Sequence, residues 1–255
     1  MSQSESAESL ATQRLLEQSL EIAQLAGALA HEIKNPLSVI RMNMDLLAED
    51  LEPPPDDARR RALQKVWIVQ RQCLRLQTLL DDFLRFVRLR HLDLTPGNLN
   101  EQVERVLRLF EPQTNELGID VVTFLDPDLP SILLDEHTLE AALVNLVKNA
   151  IEAMPGGGAL TVRTRSTRTG VALDLIDTGQ GMEEDTALHM FDPFFSTKDG
   201  GSGLGLPTAR KVIEAHGGRI DVQSTLGRGT QFTLEFPTPR RLPAGGDDVP
   251  PGPGG

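Results

Sequence analysis

The sequence predicts an α+β protein, in which a helical hairpin forms a dimeric four-helix bundle and is followed by an α/β sandwich. Three observations carry this. Two long apolar stripes with helical spacing flank a run of prolines. After His91 the stripe gives way to short alternating segments set between helices. Glycines then gather where those segments end and where a late helix starts.

The first stripe lies between Leu10 and Leu51. Ile22, Leu25, Leu29, Ile33, Leu37, Ile40, Met44, Leu47 and Leu51 recur every three or four residues, which lines one face of a helix. Pro53-Pro54-Pro55 ends it, because a proline ring clashes with the preceding turn and brings no amide donor. The second stripe is Leu63, Val66, Gln70, Cys73, Gln77, Leu80, Leu84 and Val87. Two such helices joined by a short turn make an antiparallel hairpin with an apolar face left in water. Pairing with a second copy buries that face, so a homodimer through the hairpin is expected. Gln70 and Gln77 on the seam would help to set register, and Cys73 reads as a small core residue. Residues 1–20 are a polar lead-in and residues 21–92 the hairpin domain.

The period changes in the second half. Asn100 to Leu117 reads as a helix and Ile119 to Phe124 as a strand. Asp135 is placed to cap a helix running to about Met154. Leu160–Ser166 and Val171–Asp177 alternate on either side of a short turn and read as a β-hairpin. A Gly-rich segment spans Gly179 to Gly205. A helix follows to about His216, stopped by Gly217-Gly218. Ile220–Ser224 and Gln231–Phe236 flank a Leu226-Gly227-Arg228-Gly229 turn. Together these make a second domain over residues 93–238. Residues 239–255 are too rich in Pro and Gly to pack and read as a disordered tail.

Composition narrows the function classes. The formal net charge is -12 over 255 residues, with a pI near 4.9. A duplex DNA binder needs a basic face to displace counterions, so no nucleic-acid partner is expected. Cys73 is the only cysteine, which excludes a disulfide framework or a cysteine-based zinc site within one chain and fits a reducing compartment. The most apolar stretch, Ile22 to Ala30, falls well short of the roughly 20 residues a spanning helix needs. The polar N-terminus is unlike a secretory signal. A cytoplasmic protein without direct membrane insertion is expected.

His31 stands out within His31-Glu32-Ile33-Lys34-Asn35-Pro36. At about 100° per residue it lies roughly 200° from Leu29 and from Ile33, turned away from the apolar stripe. A core histidine would sit on the stripe instead. A neutral imidazole is a good nucleophile near neutral pH. Glu32, its neighbour, can orient it or take the proton that its second nitrogen loses. Asn35 shares its face one turn on and could position a water. Pro36 leaves the carbonyl of Glu32 without its helical donor, which bends the helix beside His31. A zinc-protease helix would need histidine where Asn35 stands.

Four segments of the second half suit a nucleotide. Asn145 and Asn149 stand one turn apart, offering amide oxygen to Mg²⁺ and NH₂ to phosphate. Asp177-Thr178-Gly179-Gln180-Gly181 ends a strand; the carboxylate can accept from an adenine amino group while Gly179 and Gly181 let backbone approach the ring. Phe191-Asp192-Pro193-Phe194-Phe195-Ser196-Thr197-Lys198 reads as a lid, with Lys198 near the terminal phosphates. Gly201-Ser202-Gly203-Leu204-Gly205-Leu206 opens a helix and offers amides to an anion. No Gly-Lys-Ser/Thr follows it, so this is not a Walker loop.

In this order the segments resemble the sensor histidine kinases of two-component systems over about residues 20 to 238. Ala30–Leu37 looks like the H box, Leu139–Met154 the N box, Asp177–Met182 the G1 box, Phe191–Lys198 the F box and Gly201–Leu206 the G2 box. His-Glu-x-x-Asn-Pro is similar to the nitrogen-regulation-like subgroup. The resemblance implies a HisKA-type dimeric hairpin carrying His31 and a Bergerat-fold (GHKL) ATP domain. It also implies ATP with Mg²⁺ held through Asn149, adenine read by Asp177, transfer to an aspartate of a response regulator receiver domain, and a role for Asn35 in dephosphorylation. There are two departures. Some members carry Lys or Arg where this chain has Glu152, which leaves phosphate charge to Lys198, Lys148 or loop amides. No recognisable sensor domain precedes the hairpin. Two rival functions are a GHKL-fold ATPase and a non-catalytic dimeric scaffold that binds receiver domains. ATPases of the fold carry glutamate at the position of Asn145, which favours transfer to protein over hydrolysis.

Overall fold

Alternating helix and strand signals resolve into two compact units in the computed structural model, which describes residues 29–30, 32–47, 49, 58–88, 92–198 and 201–238. His31, the Pro53–Pro55 turn, the lead-in and the tail therefore lie outside the described residues. One unit holds the hairpin helices with Leu188–Thr208; the other holds residues 92–187 and 209–238.

In the first unit, α1 is helical over residues 32–47 and α2 spans Ala58–Arg88. Lys65 Nζ donates to the carbonyl of Leu46 at 2.7 Å, placing a cation on the late carbonyls of α1, where the helix dipole favours one. The side chains that α2 turns inward include Val69, Leu76, Leu79, Phe83 and Phe86. They lie one residue before the stripe read from the sequence. That stripe, from Leu63 (62% exposed) through Val66, Cys73 and Leu80 to Leu84, is the face a single chain leaves open. Leu37 and Met44 are exposed on α1 as well. Cys73, expected as a core residue, is exposed in the single chain with the rest of this stripe, because α2 turns the neighbouring face inward. Among the described residues no helix is long and apolar enough to cross a membrane.

The second unit is built on a five-stranded sheet of order β2-β4-β5-β7-β6. Its strands are β2 (Ile119–Phe124), β4 (Gly158–Ser166), β5 (Gly170–Asp177), β6 (Arg219–Thr225) and β7 (Gly229–Pro237). Only β2 and β4 pair in parallel, across the crossover that holds α4 (Glu136–Glu152). Helix α3 (Leu99–Leu117) packs against α4 and β2. Two three-residue strands, β1 (Thr95–Gly97) and β3 (Ile132–Leu134), make a separate ribbon that sequence periodicity did not reveal. The Gly-rich segment also contains a short helix, α5 (Glu184–His189).

Strand alternation sorts the sheet's faces. Register sets Leu173 opposite Thr164 and Leu234, and Leu175 opposite Val162 and Phe232. These apolar positions and Leu139, Leu143, Leu146 and Ile151 of α4 are all buried. Each such side chain contributes about 1.5–3 kcal/mol by leaving water. Asp135 caps α4, its Oδ1 accepting from the Thr138 N–H at 3.0 Å, as the sequence predicts. Helix α6 (Gly205–Ala215) ends just before His216, close to where the sequence predicts, and that histidine does more than mark the end. His216 donates from Nδ1 to the Val212 carbonyl at 2.7 Å and accepts at Nε2 from the Asp135 N–H at 3.0 Å. Both bonds require the neutral ring with its proton on Nδ1. One imidazole thus ties the end of α6 to the start of α4.

Asp174 lies on the other face of β5 and is fully buried. Burial alone would raise its carboxyl pKa. Donation from Arg163 and Thr233, with the charges of Arg165 and Arg163, more than offsets this and holds the pKa below the usual value. Such a group adds stability that is present above its unfolded pKa and is lost as pH falls through the lower, folded value. Asp174→Asn should therefore lose roughly 1–3 kcal/mol at about pH 7, and the gap to wild type should shrink in strong acid. Urea unfolding at both pH values checks this.

Candidate functional site

The helix period puts Asn145 and Asn149 on one face of α4, and a hydrogen bond fixes the second of them. Asn149 Nδ2 donates to the Asn145 carbonyl at 2.9 Å, so of its two amide atoms the oxygen is the one chemically suited to a cation. A single neutral oxygen suits Mg²⁺, which takes few protein ligands and completes its octahedron with water and phosphate. Among the described residues no cluster of three or more His, Cys, Asp or Glu side chains is arranged to hold a metal. Lys148 is well exposed and pairs with Glu152 at 3.8 Å, so part of its charge is already answered.

The end of β5 is tied to the end of α4. Ala153 N–H donates to the Asn149 carbonyl and Gln180 N–H donates to the Ala153 carbonyl, each at 3.0 Å. A side chain at Gly179 would strike the Ala153 backbone, so only glycine allows this approach. Asp177 is 4% exposed. Its Oδ1 accepts from the Gly179 N–H at 2.9 Å and from the Thr230 N–H at 3.2 Å, while Oδ2 makes no hydrogen bond among the described residues. Burial pushes its carboxyl pKa up, and the two N–H donors only partly counter it. Asn145, Lys148, Asn149, Asp177, Gly179 and Gly181 thus all belong to the second unit.

Sequence reading missed Thr230 and Ser224. Thr230 is buried, with Oγ1 2.9 Å from Ser224 Oγ, which also accepts from the Met182 N–H at 2.9 Å. Gly229 just before it has φ +104°, and an added Cβ would overlap the Asp177 carbonyl oxygen. The signal in the sequence is a glycine followed by threonine at the start of a strand, which by itself reads only as a turn.

The other segments belong to the first unit. On α1, Glu32 is half-buried and Asn35 exposed. In the segment that the sequence reads as a lid, Phe191, Phe194 and Phe195 are half-buried and Lys198 is exposed. Phe194 has φ +68°, the only positive φ among described non-glycine residues. That conformation costs about 1–3 kcal/mol. It is held by the Phe194 N–H donating to the Gly203 carbonyl at 3.0 Å. Gly203, at φ +66°, has no room for a Cβ against the Phe194 backbone. Gly201, Ser202 and Gly203 lead into a fully buried Leu204, and α6 starts at Gly205 and Leu206.

Two family profiles match the chain. Residues 21–92 match the His Kinase A (phospho-acceptor) domain, and residues 134–240 match the Histidine kinase-, DNA gyrase B-, and HSP90-like ATPase. The sensor histidine kinase ZraS of Klebsiella oxytoca is 34% identical over 222 residues, covering 87% of this chain and 47% of that protein. The chain spans about half the length of the curated relatives it matches most strongly. Among solved structures, histidine kinase ThkA in complex with response regulator protein TrrA is similar with a TM-score of 0.70 and 27% identity, over 89% of this chain and 66% of that one. Full-length ShkA in complex with AMPPNP is similar with a TM-score of 0.60 and 28% identity, over 83% of this chain and 45% of that one.

The tight approach of β7 to Asp177 gives a direct test. Gly229→Ala should destabilise the fold by roughly 1–3 kcal/mol from its backbone conformation alone, and by more from the overlap. Thermal melts would show it, and an unchanged melting temperature would refute the packing described.

Proposed function

Since the chain belongs to the two-component sensor histidine kinases, we propose that it phosphorylates its own His31 from MgATP and passes the phosphoryl group to an aspartate of a receiver domain. The observation that carries the proposal is Asp177: a buried carboxylate with one oxygen pinned by two backbone amides and the other unbonded, at a strand end tied to the helix of Asn149. An acceptor so held suits the amino group of adenine.

The steps follow from the side chains. Asp177 accepts from adenine, and the amides of Gly179 and Gly181 lie along the same strand end. Bound through Asn149, Mg²⁺ would supply charge neutralisation for the β- and γ-phosphates. The remaining phosphate charge would fall to Gly201–Leu206 and Lys198, a need sharpened by Lys148 sharing its own with Glu152. His31 in its neutral form attacks the γ-phosphorus through one ring nitrogen. An N–P bond forms, the bond to the β,γ-bridging oxygen breaks, and ADP leaves with those electrons. The second ring nitrogen gives its proton to Glu32 or to solvent. Positioning and charge neutralisation account for most of the acceleration. In the second reaction the N–P bond breaks as the receiver carboxylate attacks. ThkA, which this chain resembles, forms a complex with a response regulator, in keeping with such a partner. Asn35, exposed on α1, is suited to orient a water for the reverse, dephosphorylating step.

The open stripe on α2 supports a homodimer, since another copy offers a matching apolar face along its length. A cytoplasmic setting is part of the proposal. The ATPase alternative is disfavoured because Asn145 is no base. The scaffold alternative predicts no nucleotide binding.

Incubation with terminally labelled ATP and Mg²⁺ should label the protein with an acid-labile, base-stable phosphate. Label that survives acid, or that persists in His31→Gln, would overturn the assignment. A second expectation concerns pH. The raised pKa of Asp177 means it takes up a proton at higher pH than an ordinary carboxylate and then ceases to accept from adenine. ATP affinity should be greatest above that pKa and should fall as the pH drops through it. Asp177→Asn should bind ATP at least about tenfold more weakly and should lose this pH dependence; titration calorimetry reads both.

A further inference from the structure

The glycine segment has a partner that the proposed reaction does not use. Ser202 Oγ donates to Asp82 Oδ2 of helix α2 at 2.6 Å, a short bond to a charged acceptor. The same hydroxyl accepts from the Leu204 N–H at 3.3 Å. Two residues on, Leu204 is fully buried against Phe86 of α2, and Phe83, Val87 and Phe194 pack around that pair. Asp82, Phe83, Phe86 and Val87 lie on the last two turns of one helix. Both contacts are therefore made by a single rigid piece, polar at one end and apolar at the other.

We propose that Asp82 is a latch on the glycine segment, holding it with a carboxylate where the proposed function calls for phosphate. This rests on the reading of Gly201–Leu206 as the phosphate-binding segment. A carboxylate on Ser202 repels a triphosphate brought to the neighbouring amides, so the latched segment and bound ATP oppose each other. The opposition is reciprocal by linkage: whatever factor the latch costs ATP, ATP costs the latch. A shift of the end of α2 that draws Asp82 away would raise nucleotide affinity, and nucleotide would loosen that end of α2. The left-handed backbone of Phe194, braced by the Gly203 carbonyl and this apolar cluster, marks a segment held in one particular arrangement.

The test is equilibrium binding of ATP, ADP and adenosine, each with Mg²⁺, to the full chain and to Asp82→Asn and Asp82→Ala. Asn keeps an acceptor for Ser202 without the charge; Ala removes both. The latch predicts that both variants bind ATP about five- to tenfold more tightly. It predicts a smaller gain for ADP and none for adenosine. Equal gains for all three ligands would mean a general loosening rather than charge, and would overturn the proposal, as would unchanged or weaker ATP binding. Wild-type protein that binds adenosine but gains nothing on mutation refutes the latch alone. Wild-type protein that binds neither ATP nor adenosine refutes the nucleotide site, and the latch with it. Matching melting temperatures across the three proteins exclude misfolding as the source of any difference.

Discussion

A buried carboxylate at the end of the central strand organises the second unit. Asp177 draws the Gly179 amide from its own loop and the Thr230 amide from β7 onto one oxygen. The chain therefore turns away from β5 at a fixed point, and β7 starts in register beside it. The Gly179 loop then meets the carbonyl of Ala153, which positions α4 and with it Asn149. Leaving that carboxyl unpaired in an apolar interior would cost several kcal/mol. Its two amide donors make it tolerable, and its remaining oxygen keeps it chemically available.

The first unit is arranged differently. Its helices carry two apolar faces, offset by a single residue along α2, and among the described residues one is turned inward while the other stays exposed. Leu204 and Phe194, from the segment Leu188–Thr208, pack on the same helix. Residues beside the segment proposed to meet phosphate thus pack on a helix whose opposite face is exposed in the single chain. That gives a physical route by which events along the hairpin reach the glycine segment without either one touching the carboxylate on β5.

Much of this was legible in the sequence, for reasons that can be named. Long helices write their stripes plainly, so α1 and α2 were evident from Leu29 to Val87. The capping role of Asp135 follows from its carboxylate standing just before an apolar period, and the strand pair β4–β5 follows from alternation on either side of a short turn. Asp177 and the glycines near it were found because acid and glycine together at a strand end are rarely needed for packing alone. What stayed hidden depends on tertiary contacts. The ribbon of β1 and β3 is too short to show a period, and α5 buries no residue and has no stripe. Thr230 acts through its backbone N–H, which any residue but proline would supply. The pairing of Asp82 with Ser202 joins positions 120 residues apart. Nor could a stripe declare which of two neighbouring faces would stay open.

That open face has a thermodynamic consequence. With a second copy as its cover, folding of the hairpin becomes second order in protein, and its midpoint rises with the logarithm of concentration. Dilution then acts as a mild denaturant. In such a pairing, the amount of chain present would set how much of it is assembled.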